Sequence, residues 1–240
     1  MTIASIGLLI AMTSAEAIAI LLNSPSSVGA KTFASAKEIV ERDAAEGRPL
    51  QQFVIGVTTD DRELRKKYLA ASRDRIEKLA SEKDNSLAWY LLSMEKNDLR
   101  LLRHAAEGGN VQALNALGTI VTQRALDSAD EMGSNKVERV LKQCFGYFSR
   151  AAERRDPNGF INLGACYLRG FGCEKDMELA FQCFRSAAEL GHPEGMDNMS
   201  AMYQFGHGVE KDSELSLYWA MRGRAARGDE AAAKWLRTRK

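Results

Sequence analysis

The chain has 240 residues, 45% of them hydrophobic and 27% charged, a composition typical of a folded globular protein. The formal net charge is +1, so the sequence lacks the broad basic surface that nucleic-acid binding requires, and we expect no nucleic-acid partner. Helix-forming residues dominate and alternating runs of Val, Ile and Thr are missing, which predicts an all-α protein.

Residues 3–22 form the most apolar stretch, and three interpretations of it remain open. A secretory signal would carry a basic residue near its start, but the first Lys or Arg is Lys31. A membrane anchor needs about twenty apolar residues, which are present, but Glu16 would cost about 2.5 to 3.5 kcal/mol near the bilayer centre. The third interpretation splits the stretch at a capping box, residues 13–16, into two short helices that pack as a first hairpin.

The first predicted domain is therefore the apolar helical segment 1–33, either a terminal hairpin or a signal or anchor. We favour the hairpin, and with it a cytoplasmic protein over a secreted, periplasmic or membrane-anchored one. The same stretch, residues 3–22, could still mediate membrane contact or self-association.

Residues 34–240 are predicted as a second domain of short helices joined at recurring junctions. A glutamate marks each junction, at Glu46, Glu82, Glu107, Glu153 and Glu189. Helix-capping side chains follow at Asn85, Asn110 and Asp156, and prolines suited to a first helical position follow at Pro49, Pro157 and Pro193. The longest step between junctions, from Glu107 to Glu153, contains a polar stretch that predicts a loop insertion near 127–136.

The clearest internal repeat joins residues 162–176 to residues 198–212 at an offset of 36 residues without a gap. Both segments contain the pattern G-x-G-x-x-K-D, which begins at Gly170 and at Gly206. The glycines allow the left-handed turn that closes a first helix, and Asp176 or Asp212 can cap the second. Each unit is therefore predicted to be a hairpin of two helices.

An apolar stripe repeats at the same offset within the first helix of each hairpin. Its members are Phe160, Leu163, Gly164 and Tyr167 in one unit and Met196, Met199, Ser200 and Tyr203 in the next. The small residue at the third position lets the two helices of a hairpin approach closely. One hairpin cannot bury its apolar face alone, so successive hairpins are expected to stack in an elongated array.

These motifs resemble those of the Sel-one-like repeat family, a relative of the tetratricopeptide repeats with a unit of about 36 residues. The resemblance is strong over residues 145–235, fair over 80–125 and weak over 34–80. It implies an all-α fold, a right-handed α-solenoid of stacked helix-turn-helix repeats. It also implies an adaptor or scaffold, commonly in signalling, envelope or quality-control complexes, and it implies no reaction.

The sequence offers no recognisable catalytic, cofactor or metal site. The three histidines, His104, His192 and His207, form no pair at metal-ligand spacing, and His192 is expected at the surface. Gly170 and Gly172 follow a predicted helix, whereas phosphate-binding glycines follow a strand. The four cysteines share no 36-residue spacing and are expected to be buried free thiols, although Cys166 could meet Cys173 or Cys183 within one hairpin; the fourth is Cys144.

The predicted function is that of a non-catalytic scaffold or adaptor, which binds a partner protein or peptide on the concave face of the solenoid. The candidate contact residues are Asn162, Arg169, Asn198, Met202 and Phe205, with Cys166 beside them. The two asparagines would hydrogen-bond the backbone of the partner and Arg169 would bind an acidic group, unless the asparagines instead tie adjacent units together. An alternative is a secreted or envelope-associated repeat protein with hydrolase or cell-wall-binding activity.

Overall fold

A computed structural model describes residues 14–22 and 30–239 of the chain, and it shows helices and short connections with no strand among them. The all-α prediction is therefore confirmed. The chain divides into two compact units, unit 1 up to Gly108 and unit 2 from Gly109 onward. The predicted domain boundary after residue 33 stays a prediction.

Unit 1 is built of helix pairs that follow one another along the chain. The pair α1 and α2 packs together, as do α3 with α4 and α5 with α6, and each pair contacts the next. Their apolar faces merge into one core. The helices are α1 (Ser14–Leu21), α2 (Ala30–Ala45), α3 (Pro49–Thr58), α4 (Arg62–Lys83), α5 (Ser86–Lys96) and α6 (Leu99–Glu107).

The described part of the apolar amino-terminal stretch is helix α1, which begins inside the predicted capping box and buries Ala17, Ile18 and Leu21 in the core of unit 1. Residues 1–13, where the first helix of the expected hairpin would lie, are outside the described residues, as are residues 23–29. Among the helices that are described, none has both the length and the apolarity needed to cross a bilayer.

Unit 2 is a stack of three helix hairpins followed by one further helix. Its helices are α7 (Val111–Asp127), α8 (Ala129–Met132), α9 (Ser134–Glu153), α10 (Pro157–Arg169), α11 (Met177–Glu189), α12 (Pro193–Phe205), α13 (Ser213–Ala226) and α14 (Glu230–Arg237). We call α7, α10 and α12 the A helices and α9, α11 and α13 the B helices. Each A helix packs on the B helix of its own hairpin, α10 and α12 pack also on the preceding B helix, and successive A helices touch. This is the solenoid arrangement that the repeats predicted.

The helix ends lie where the capping residues predicted them. The side-chain oxygens of Asn85, Asn110 and Asp156 accept hydrogen bonds of 2.8–2.9 Å from the backbone amides three residues later. Asp176 and Asp212 cap α11 and α13 in the same way. Pro49, Pro157 and Pro193 begin α3, α10 and α12. Local chemistry thus sets these helix starts independently of tertiary packing.

Within a hairpin, a large side chain of the B helix packs against a small residue of the A helix. A phenylalanine of the B helix lies against a glycine of the A helix in two hairpins, Phe148 against Gly118 and Phe184 against Gly164. The third hairpin has Ser200 at the glycine position, and the residue 36 positions after Phe184 is an alanine. The hydroxyl of Ser200 lies 3.1 Å from the hydroxyl of Ser216 in α13 instead. The predicted role of the small residue is therefore confirmed.

Neighbouring hairpins approach each other at the second glycine of the G-x-G pattern. Gly172 lies on the backbone of α9 and Gly208 on the backbone of α11, both with a φ near +70° (+73° and +66°). A Cβ atom at either position would collide with the carbonyl oxygen of Leu141 or of Met177. Glycine is required there both for its left-handed backbone conformation and for the absence of a side chain.

The insertion near 127–136 is mostly helical. It holds the short helix α8 and Gly133, whose φ of +74° separates α8 from α9. The A helix α7 has 17 residues and the B helix α9 has 20, against 13 each for α10 and α11. The additional residues therefore lengthen the first hairpin, since Ala, Glu and Met within the polar stretch are good helix formers.

His192 is buried, at 3% exposure, although the sequence suggested a surface position. It precedes α12 at the cap position but makes no capping hydrogen bond, and neither ring nitrogen has a partner among the described residues. The end of the B helix α13 covers this junction and brings Arg227 near the ring. Burial, aided by Arg227, lowers the pKa of His192 to about 4, so the imidazole is neutral at pH 7.

We expect Gly172→Ala to destabilise the protein more than Gly170→Ala. Both residues have a φ of +73°, so both substitutions carry the left-handed strain of about 1 to 2 kcal/mol. A Cβ at Gly170 would find its nearest neighbours at 3.6 Å, whereas at Gly172 it would meet backbone, which adds about 1 to 3 kcal/mol. Urea unfolding measures the difference, and equal losses in free energy would contradict the packing described for Gly172.

We expect the wild-type chain to lose stability on acidification relative to His192→Asn. The folded-state pKa of about 4 lies below the ordinary value of 6.5, so the unfolded state binds the proton first as the pH falls. The free energy of unfolding therefore has its full value above about pH 6.5 and falls as the pH decreases towards 4. The loss that comes from His192 is about 2 kcal/mol at pH 5. Asparagine at this position can cap α12 as Asn110 caps α7. Urea unfolding at pH 7.5 and pH 5 compares the two proteins, and parallel pH dependences would disprove the assignment.

Candidate partner-binding surface

The predicted contact residues lie on the A helices α10 and α12 of unit 2. Asn162 and Arg169 belong to α10, and Asn198, Met202 and Phe205 belong to α12. Arg169 and Phe205 are the last residues of their helices and occupy equivalent positions, 36 residues apart. The repeat therefore places these two side chains in one row on neighbouring helices.

Each of the two terminal side chains stacks on the residue between the two glycines that follow. The guanidinium of Arg169 lies 5.7 Å from the ring centre of Phe171, and the ring of Phe205 stacks on that of His207 with centroids 5.7 Å apart. Gly170 and Gly206 end their helices with φ near +70° (+73° and +70°), which turns the chain back so that these contacts can form. The G-x-G pattern thus shapes a small platform at the end of α10 and at the end of α12.

The platforms are open to solvent and differ in chemistry. Phe205 is 63% exposed, the highest value among the exposed large hydrophobic side chains of the described chain, and Arg169 is exposed as well. One platform offers a cation beside an aromatic ring, and the other offers two aromatic rings. A cation binds carboxylates, and an exposed aromatic ring gains free energy when an apolar group covers it.

Phe171 and His207 were absent from the set predicted by sequence. Their position in the middle of the G-x-G pattern could have identified them. The glycine before this position adopts a left-handed turn, which directs the next residue back towards the helix end. That position is therefore a place to look for surface residues in this type of repeat.

The two predicted asparagines have different surroundings. The Nδ2 of Asn162 donates to the Oδ1 of Asn115 in α7 over 3.3 Å, and the Nδ2 of Asn115 donates to the Oδ1 of Asp156 over 2.7 Å. Asn162 thus takes part in a tie between adjacent hairpins, which is the alternative that the sequence left open. Asn198 is half-buried, and its side chain makes no hydrogen bond to the rest of the described chain.

Met202 and Cys166 are core residues, contrary to the expectation that their side chains are free. Met202 is 2% exposed and packs in the core between α11, α12 and α13, and the equivalent Cys166 is buried beside Cys144 and Phe148. The reason is that α10 and α12 each pack between two B helices, their own and the preceding one. More of the helix circumference is therefore buried than the single apolar stripe of the sequence indicates. Neither side chain belongs to the accessible surface.

The cysteines are all free thiols in this structure, Cys144 and Cys166 buried and Cys173 and Cys183 half-buried. Burial raises the pKa of Cys166 to about 12 and that of Cys183 to about 11, so both stay protonated at neutral pH. A protonated thiol is neither a good nucleophile nor a metal ligand. Within residues 14–22 and 30–239 no group of three His, Cys, Asp or Glu side chains is arranged to hold a metal ion.

Comparison with known proteins identifies the repeats. The model of the Sel1 repeat matches residues 112–156, 161–192 and 193–220, which fall within the three hairpins of unit 2. A crystal structure of a protective antigen of uropathogenic Escherichia coli, described as displaying an SLR fold, aligns with a TM-score of 0.53 and 21% identity. The alignment covers 84% of this chain and 45% of that one, and it shows a shared fold.

A crystal structure of a Sel1 repeat protein from Oxalobacter formigenes is 26% identical, with a TM-score of 0.45, over 53% of this chain and 90% of that one. No curated protein sequence matches the chain. Sel1 repeats generally serve as protein-interaction scaffolds without catalytic activity of their own. With their three hairpins and their glycine-dependent packing, residues 112–220 of the chain are therefore Sel1-like repeats.

Proposed function

We propose that the chain is a non-catalytic scaffold that binds a peptide segment of a partner protein along the exposed ends of the A helices α10 and α12. The observation that carries the proposal is the exposure of Phe205, 63%, at a position where the repeat places a stacked pair of side chains. An aromatic ring of this size costs free energy in water, and its burial by a partner would recover it.

The proposed surface consists of Arg169 with Phe171, Phe205 with His207, and Asn198 between them in sequence. Arg169 would bind a carboxylate of the partner, the Phe205 platform would receive an apolar side chain, and the amide of Asn198 would bond the backbone of the partner. Asn162 contributes less in this proposal, because its amide is already engaged with Asn115. The proposed surface lies on A helices because the G-x-G turns that form the platforms follow α10 and α12 and follow no B helix.

We expect Phe205→Ala to reduce strongly the capture of partners that the wild-type chain retains. Loss of a central aromatic contact costs about 1 to 3 kcal/mol of binding free energy, roughly a fivefold to 150-fold fall in affinity. Immobilised wild-type and variant chains are compared in a pull-down read by quantitative mass spectrometry. The matched control is Leu179→Ala, which removes a side chain 37% exposed on the B helix α11. Equal retention of the same partners by wild type and Phe205→Ala would refute the surface.

We expect Asn162→Ala and Asn198→Ala to act on different properties. Asn162→Ala removes the hydrogen bond to Asn115 and should lower the free energy of unfolding by about 1 kcal/mol. Asn198→Ala removes no internal hydrogen bond and should leave stability unchanged while it weakens partner binding. Urea unfolding and the same pull-down separate the two effects. A stability loss confined to Asn198→Ala would reverse the assigned roles.

A further inference from the structure

The platform residue Phe205 lies at a position that stays open in every hairpin of unit 2. Gln123, Arg169 and Phe205 are each the thirteenth residue of their A helix, and all three are exposed. A further A helix touches α7 and a further one touches α10, yet Gln123 and Arg169 remain exposed. The exposure of Phe205 therefore belongs to its position in the repeat.

Three rows of side chains cross from α10 to α12 on one face. In each helix an asparagine, an alanine and the platform residue follow one another at spacings of three and four, which places them on the same side. The alanines are half-buried and carry only a methyl group, so a peptide backbone can approach both helices between the amides and the platforms. The residues are Asn162, Ala165 and Arg169 in α10 and Asn198, Ala201 and Phe205 in α12.

The two platforms require different groups from a partner. Arg169 is exposed and forms no ion pair with any residue that the structure describes, so a carboxylate is the group that complements its charge. Phe205, stacked on His207, gains free energy when an apolar side chain covers its ring. An occupant of both platforms therefore presents a carboxylate and an apolar side chain on the same side, separated by the distance between two A helices.

That distance restricts the backbone conformation of the occupant. The axes of helices in contact lie about 8 to 10 Å apart. In a polyproline II segment, residues three positions apart point the same way and lie about 9 Å apart. In a β-strand, residues on one side are two or four positions apart, at about 7 or 13 Å, and neither value matches. An α-helix also fits, because residues seven positions apart lie on one face at about 10 Å.

The amide of Asn198 distinguishes these two conformations. Its side chain is half-buried and makes no hydrogen bond to the rest of the described chain, so a donor and an acceptor are available beside the alanine row. An α-helix bonds its own backbone groups internally, whereas a polyproline II segment leaves them free. Only the polyproline II segment can therefore bond Asn198 through its backbone.

Building on the surface proposed above, we propose that its occupant is a polyproline II segment of the partner, in which an acidic residue and an aromatic residue are three positions apart. The carboxylate binds Arg169 and the aromatic side chain covers Phe205. The backbone between them passes over the two alanines, within reach of Asn198. A polyproline II segment is already extended before it binds, so it loses little entropy on a surface that offers two anchoring contacts.

Fluorescence anisotropy with the full 240-residue chain tests the spacing and the conformation. The probes are fluorescein-labelled peptides with an amidated C terminus, GSGEPPFGSG and, with the two anchors exchanged, GSGFPPEGSG. At least one of them should bind saturably. Removing one proline from that peptide, or adding one, should weaken binding about fivefold or more, because the anchors then point to different sides. An alanine-based helical peptide with the same two anchors seven positions apart should bind no better than these altered forms.

Substitutions in the chain locate the binding site. Phe205→Ala and Arg169→Glu should each weaken binding about tenfold. A peptide whose glutamate is replaced by lysine should bind Arg169→Glu about tenfold better than it binds the wild-type chain, because the charges are then exchanged across the contact. The matched controls are Arg185→Glu and Leu179→Ala, at exposed positions of the B helix α11, and they should change binding less than about twofold.

The chain variants are checked for unchanged circular dichroism and melting temperature, since all the substitutions are at exposed sites. If neither peptide binds, or if the number of prolines has no effect, the proposed occupant is wrong, whereas the surface itself fails only if Phe205→Ala retains every partner in the pull-down. Tighter binding of the helical peptide would overturn the polyproline II conformation. Binding that survives both Phe205→Ala and Arg169→Glu would place the peptide elsewhere on the chain and overturn the proposal as well.

Discussion

The close approach of backbones between hairpins is the constraint on which unit 2 depends. Gly172 and Gly208 lie against the carbonyl groups of Leu141 and Met177, where no side chain fits. This contact fixes how far each hairpin sits from the preceding one, and it does so the same way twice. Equivalent residues of successive hairpins are consequently aligned, and side chains from separate hairpins form continuous rows on the surface and in the core.

Much of this architecture is readable from the sequence because it rests on local chemistry. Asn110 and Asp156 cap their helices through bonds to amides three residues away, and Pro157 needs only the geometry of a first helical turn. The pairing of Gly164 with Phe184 is also visible, since a small residue and a large one recur at fixed positions. Such features depend on few neighbours, so a single chain without structure reveals them.

The sequence alone did not predict which side chains of the A helices are buried. Met202 and Cys166 are covered because a second B helix flanks both α10 and α12. His192 is covered because the end of α13 reaches the junction before α12. The hydrogen-bond partners of the two asparagines could not be predicted from the sequence either. Asn162 finds Asn115 on the preceding A helix, whereas Asn198 faces a different neighbourhood, in which Asp197 pairs with Arg227. The same residue type at equivalent positions of two repeats therefore has different partners, because the neighbouring residues differ.

The unlike platforms at the ends of α10 and α12 have a consequence for molecular polarity. A row that presents a guanidinium on one helix and a phenyl ring on the next has no two-fold symmetry, so its two ends are chemically distinguishable. An extended chain lying along such a row is matched in one orientation and mismatched when reversed. Successive repeats that diverge at a single surface position can therefore encode N-to-C direction while the underlying scaffold stays uniform.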